Sequence, residues 1–155
     1  MRDERFKAIH RGGTLDLPRH RLLAVWAADC AEHVVALFHH EFPCDERPRR
    51  AIEAARRWAR GEVTVGEARN AAVAAHAAAR EAVSSSTTAA ARAAGHAAGT
   101  AHMADHAPQA AGYAVQAVQA SVDGPDAVMA ANRERAWQRD HLPDDVWVLV
   151  SRPTL

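Results

Sequence analysis

Ser84-Ser85-Ser86-Thr87-Thr88-Ala89-Ala90-Ala91-Arg92-Ala93-Ala94-Gly95-His96-Ala97-Ala98-Gly99-Thr100-Ala101-His102-Met103-Ala104-Asp105-His106 is the stretch that decides the fold. Alanine has the best intrinsic helix propensity and loses no side-chain entropy on ordering. The run therefore reads as a helix from roughly Thr88 to Ala107, with Pro108 kinking it or starting the next one. The Ser/Thr cluster reads as its N-terminal cap, since five polar residues are too few for a domain boundary. Alanine also buries little area, so such a helix must gain its energy through close approach to its neighbours. Gly95 and Gly99 each cost about 1 kcal/mol relative to alanine. Their place inside the helix marks a point where another backbone or a ligand comes close.

The rest of the chain follows the same style, with 38 alanines among 155 residues and four tryptophans to act as bulky anchors. Asp16 is a good N-cap and Pro18 falls in the first turn, so a first helix runs from there to about Phe42, where Pro43 stops it. Leu23, Ala27, Cys30, Val34 and Phe38 form its apolar stripe. A second helix begins near Asp45–Pro48 and ends at Gly61, burying Ala51, Ile52, Ala55, Trp58 and Ala59. Thr64 and Glu67 have capping-box spacing, opening a third helix that reaches about Val83. A fifth runs to about Val122, and Pro125 after Asp123-Gly124 starts a sixth over 125–141. The tail Val146–Val150 reads as a terminal helical turn, since a lone strand has no partner. Residues 1–15, broken by Gly12-Gly13, form an irregular lead-in, and 16–155 form one domain. The expected architecture is all-α: a single-domain bundle of about six helices with an Ala/Gly-rich, close-packed core.

Charge and composition narrow the function classes. Nineteen basic and nineteen acidic residues leave a formal net charge of zero. That balance gives no pull toward nucleic acid or an anionic membrane. No apolar run approaches the ~20 residues needed to span a bilayer, and the N-terminus lacks the apolar stretch of a secretory signal. Cys30 and Cys44 have neither CxxC nor disulfide-framework spacing, which suits a reduced cytoplasmic setting. Cys30 lies in the apolar stripe, where a thiol is inert, and nothing near Cys44 activates it. The arginines of helix two are offset by Asp45, Glu46, Glu53 and Glu62, so a solvated face is the simpler reading. Phosphate loops and GxSxG elbows are absent from the sequence.

Two sets of polar residues are candidates for chemistry. His102 and His106, one helical turn apart, have the spacing to share a divalent metal such as zinc. The pattern His102-x-x-Asp105-His106 superficially resembles an inverted zinc-protease motif, with aspartate in place of glutamate and no third ligand in view. The alternative is a polar seam with hydrogen-bonded imidazoles and no cofactor at all. On helix one, Asp29 and His33 stand at i and i+4, so the carboxylate is placed to orient the imidazole, with Trp26 as an aromatic wall. If helices one and four are neighbours, His33, Asp29, His102 and Asp105 make an acid–base set. Trp26, Gly95, Gly99 and His106 would then line a ligand pocket. The competing reading is an amphipathic flank that simply meets solvent. The Gly95/Gly99 face is equally open to an intramolecular helix contact or a homodimer seam.

Three blocks carry a family resemblance: Leu23 to His33 (LAVWAADCAEH), Asp45 to Arg56 (DERPRRAIEAAR) and Ala93 to Ala107 (AAGHAAGTAHMADHA). Together they resemble the small helical proteins labelled putative immunity proteins, associated with bacterial toxin systems, over about residues 15–142. The resemblance implies a helical protein acting by protein–protein contact on a cognate toxin, with no transferable chemistry. A small enzyme or ligand binder, recruited for specialised metabolism and using the His/Asp/Trp set, is the alternative.

Overall fold

A computed structural model describes residues 3–151 as seven α-helices. They are α1 (Leu17–Glu41), α2 (Arg47–Ala59), α3 (Val65–Glu81), α4 (Ser85–Gly99), α5 (His106–Ala120), α6 (Pro125–Asp140) and α7 (Asp144–Ser151). The lead-in is more ordered than expected. Two 3-10 turns, Glu4–Phe6 and Ile9–Arg11, are tied to the start of α1 by the Ile9 N–H donating to the Leu15 carbonyl and the Leu15 N–H to that of Lys7, each at 3.0 Å. Residues 1–2 and 152–155 lie outside the described part.

The helix starts follow their local chemistry. The Asp16 carboxylate accepts from the Arg19 N–H at 2.9 Å, with Pro18 in the first turn. Thr64 and Glu67 form the full reciprocal capping box. The Ser84 hydroxyl caps α4 by accepting from the Thr87 N–H. Pro125 occupies the first turn of α6. Each satisfies or removes a backbone donor that the first turn leaves without an intrahelical partner.

The end of α4 departs from the sequence reading. The helix stops at Gly99 and the chain turns through Thr100–Asp105 before α5 begins, so the 88–107 helix is two elements. Pro108 supplies the reason. A helix continuing through it would lose the bond to the Ala104 carbonyl and meet that carbonyl with its ring. Pro108 lies instead in the first turn of α5. The freed end of α4 is closed by the Thr100 hydroxyl donating to the His96 carbonyl and by two N–H groups, of His102 and Met103, bonding the Gly99 carbonyl.

α4 is the axis of the molecule. Ten of its fifteen residues are buried: Thr87, the alanines at 89–91, 93–94 and 97–98, and both glycines. A helix apolar over most of its circumference must be largely enclosed, and only Ser85, Ser86 and the stripe of Thr88, Arg92 and His96 stay partly exposed. α1, α2, α3 and α5 enclose it. α3 and α5 present mainly alanine to the core, while α1 and α2 add bulk through Leu23, Trp26, Val34, Phe38, Ile52 and Trp58. All five stripe positions of α1 are at most 2% exposed. By length and composition α1 also qualifies as a membrane span, contrary to the sequence reading; here 56% of that apolar window is buried among the other helices.

Gly95 and Gly99 explain the close approach. A Cβ at Gly95 would lie 2.7 Å from the His76 ring, and one at Gly99 would lie 3.2 Å from His106. Gly112, in α5, faces open space. Gly112→Ala should therefore stabilise the fold by about 0.5–1 kcal/mol. Gly95→Ala should forfeit that gain and more, as overpacking costs about 1–3 kcal/mol. Urea unfolding of the two variants should separate them by at least about 1 kcal/mol, in that order.

Candidate functional site

The flank of α1 is occupied by partners from α2 and α6. Trp26 is 3% exposed, and its indole N–H donates to the Gln138 carbonyl at 3.0 Å. Asp29 does not meet His33; it accepts from Arg56 at 2.9 Å, and Glu32 accepts from the same guanidinium at 2.6 Å. The two carboxylates hold the Arg56 guanidinium firmly in its charged form, Glu32 contributing most. His33 instead bonds Glu134 of α6, Nδ1 to Oε2, at 2.7 Å. Its ring stacks on Trp137 at 3.8 Å and 8°, and Trp137 stacks in turn on His141 at 4.0 Å. Glu134 is only 3% exposed, so its carboxyl needs partners. His33 is one, and the Gln138 amide, which also reaches the Ala111 carbonyl at 2.9 Å, is the other. Sequence reading passed over Glu134 and Gln138. Their i, i+4 spacing with Trp26 and His33 on a facing helix was the available signal.

A second cluster joins α3, α4 and α5. His96 and His106 share a hydrogen bond between their Nδ1 atoms at 2.8 Å. His76 meets His96 edge-on, and Tyr113 stacks on it from α5. In such a bond one ring donates and the other accepts, so the accepting imidazole is neutral. Burial first, then the neighbouring His106, His76 and Arg92, which oppose a further charge, push the His96 imidazole down to about 3. Burial lowers His76 in the same direction, helped by Arg92. Gly95 and Gly99 back onto the rings of His76 and His106, so this face is an intramolecular contact and is not open to a dimer seam.

His102 and His106 are not on one helix face, because His102 lies in the turn between α4 and α5. Asp105 precedes α5, with one carboxyl oxygen buried and without a hydrogen-bond partner. Among the described residues no group of three or more His, Cys, Asp or Glu side chains is arranged to hold a metal.

α1 and α4 are neighbours, yet the two candidate sets do not converge. The α4–α5 turn meets α1 at its start, where buried His20 donates from Nε2 to the Thr100 carbonyl at 2.5 Å and packs on Trp58. His33 stands thirteen residues further along, about 20 Å of helix rise. Cys30 is buried, and burial pushes its thiol up, away from nucleophilic use. An open recess of about 620 Å³ at the α1–α2 corner is bounded by Arg47, whose charge is already shared between Asp45 and Glu81.

With acid–base groups tied into helix seams, comparison with known proteins decides the family. The profile of the Imm-5-like putative immunity proteins matches residues 13–145. The chain belongs to that family. No curated protein and no solved structure matches it. The matched segment of this immunity-family protein runs from the end of the lead-in into α7, so both the α4-centred core and the α1–α6 seam fall within it.

The histidine clusters set the acid limit of the fold. His20, His76 and His96 are held neutral when folded but are free to protonate when unfolded. Stability is thus fully present above about pH 6.5 and is lost as pH falls below it, by at most ~1.4 kcal/mol per pH unit per group. Urea midpoints should hold between pH 7.5 and about 6.5 and fall from there to pH 4.5, and His96→Gln should make that slope shallower. His33→Ala should destabilise by about 1–3 kcal/mol, because Glu134 then keeps only the Gln138 amide. Thermal unfolding at pH 7 checks that loss.

Proposed function

We propose that this protein is a stoichiometric antitoxin that neutralises a toxin by docking on it, and that it catalyses no reaction. The observation carrying this reading is membership of the immunity-protein family across residues 13–145. The chemistry of the fold supports it. Asp29 and His33 each hold an ionisable partner across a helix seam, at 2.9 and 2.7 Å, and His106 is engaged with His96. These groups fix the positions of helices, which is what a rigid docking surface requires. A reducing cytoplasm suits its cysteines, Cys30 buried and Cys44 exposed with no disulfide between them.

The test is co-expression with each neighbouring gene product that arrests growth when expressed alone, followed by native mass spectrometry of the purified mixture. A complex of fixed stoichiometry, together with restored growth, is the expected result. Restored growth with the toxin chemically altered, and no complex, would show that the protein acts as an enzyme. A His33→Ala protein that remains folded should still protect.

A further inference from the structure

A hollow of about 260 Å³ lies where four separate segments meet: the second 3-10 turn, the start of α1, the α2–α3 connection and the turn after α4. Trp58 and His20, both buried, form its floor, and His10, Arg11, Arg21 and His102 form its walls. Leu17 and Val65, 50% and 40% exposed, sit at its apolar rim. No acidic side chain lines it. Acids close by in sequence are committed elsewhere: Asp16 to the α1 cap and Arg19, Glu62 to Arg57 and Arg60, Glu4 to Lys7. Asp105 lines a narrow adjoining recess that Lys7, Arg11, His20 and His102 also line, and it forms no ion pair with Arg11. Among the described residues, Arg11 and Arg21 form no ion pair, while Arg47, Arg56 and Arg60 each hold two carboxylates.

The volume and the charge together identify the occupant. Small-molecule pockets run to roughly 300–1,000 Å³, so this hollow is the size of one or two protein side chains. Guanidinium groups match carboxylates two bonds at a time. A buried tryptophan beneath paired arginines, inside an apolar rim, is the composition of an interface hot spot. We propose that this hollow is the docking point for an acidic side chain, Asp or Glu, on a loop of the partner toxin, with an apolar neighbour seated against Leu17 and Val65. The proposal rests on the antitoxin reading and names the surface that performs it.

Two experiments separate the proposal from that reading. In the first, a blocked Leu-Glu-Asp-Leu peptide is titrated to millimolar concentration against the full chain, followed by the Trp58 indole N–H and the His10 ring signals. Perturbation of both is expected, reduced at least about 5-fold for the Leu-Gln-Asn-Leu peptide and for Arg11→Glu/Arg21→Glu, as loss of charge-assisted bonds demands. Equal perturbation by the neutral peptide, or none by either, overturns the proposal. In the second, affinity for the growth-arresting protein identified by that co-expression is measured for wild type, Arg11→Glu/Arg21→Glu and a distant exposed pair, Arg133→Glu/Arg139→Glu. The hollow variant should lose on the order of 100-fold and the distant pair much less, with thermal unfolding confirming that both variants fold. Unchanged affinity, or equal loss in the two variants, sinks the docking site but leaves the antitoxin reading intact. No binding by wild type sinks both.

Discussion

The other helices of this molecule are arranged around one that keeps only a narrow, partly exposed polar stripe. α4 is built from alanine and glycine on nearly all sides, and four other helices close over it. Small side chains bring backbones together but contribute little apolar area each, about 0.8 kcal/mol per buried methyl-sized group. The stability must then come from many tight contacts plus a few bulky anchors, which α1 and α2 supply. The histidine cluster follows from the same constraint. Where Gly95 and Gly99 leave room, the rings of His76 and His106 fill it, and His96 bridges them. Burial favours the neutral form of such rings; His96 and His106 satisfy each other through Nδ1, while the buried Nδ1 of His76 has no hydrogen-bond partner.

The second seam works differently. α6 buries only Ala131, Glu134 and Gln138, so it is held to α1 by polar side chains and stacked rings. The Glu134 carboxyl, the Gln138 amide and backbone carbonyl, the Trp26 indole and the His33 imidazole satisfy one another across the gap. Such a network specifies one register, because a shift by one turn would leave buried groups without partners. Two modes of helix attachment, dry on one side of α1 and polar on the other, leave most titratable groups with a structural task. The cationic hollow, by contrast, is assembled from segments that the tertiary fold alone brings together.

Much of this was legible in the chain. Asp16, Thr64, Ser84 and Pro125 announce helix starts by local chemistry, and the α1 stripe gives the buried face by spacing alone. The family blocks were legible too. The break after Gly99 was obscured, because alanine propensity runs through Thr100–Ala107 and the decisive residue, Pro108, acts four positions back on Ala104. That one break moved His102 off the helix that carries His106 and into the turn before it. Asp29 and His33 have the right spacing to pair, but Arg56 and Glu134 on other helices compete more strongly, and no local pattern reports that. The hollow was invisible for the same reason: Arg11, Arg21, Trp58 and His102 are far apart in the chain, and only tertiary packing makes them neighbours.

Native-state hydrogen exchange at pH 7 tests the α4-centred account most directly. If α4 is the enclosed centre of the fold, the amides of Ala90–Ala98 exchange only when the whole molecule unfolds. Their opening free energies should then equal the stability measured by urea and be matched, not exceeded, by α1 and α5. Opening of α4 at lower free energy than its neighbours would contradict the account, since a helix that opens alone is not the element on which the others depend.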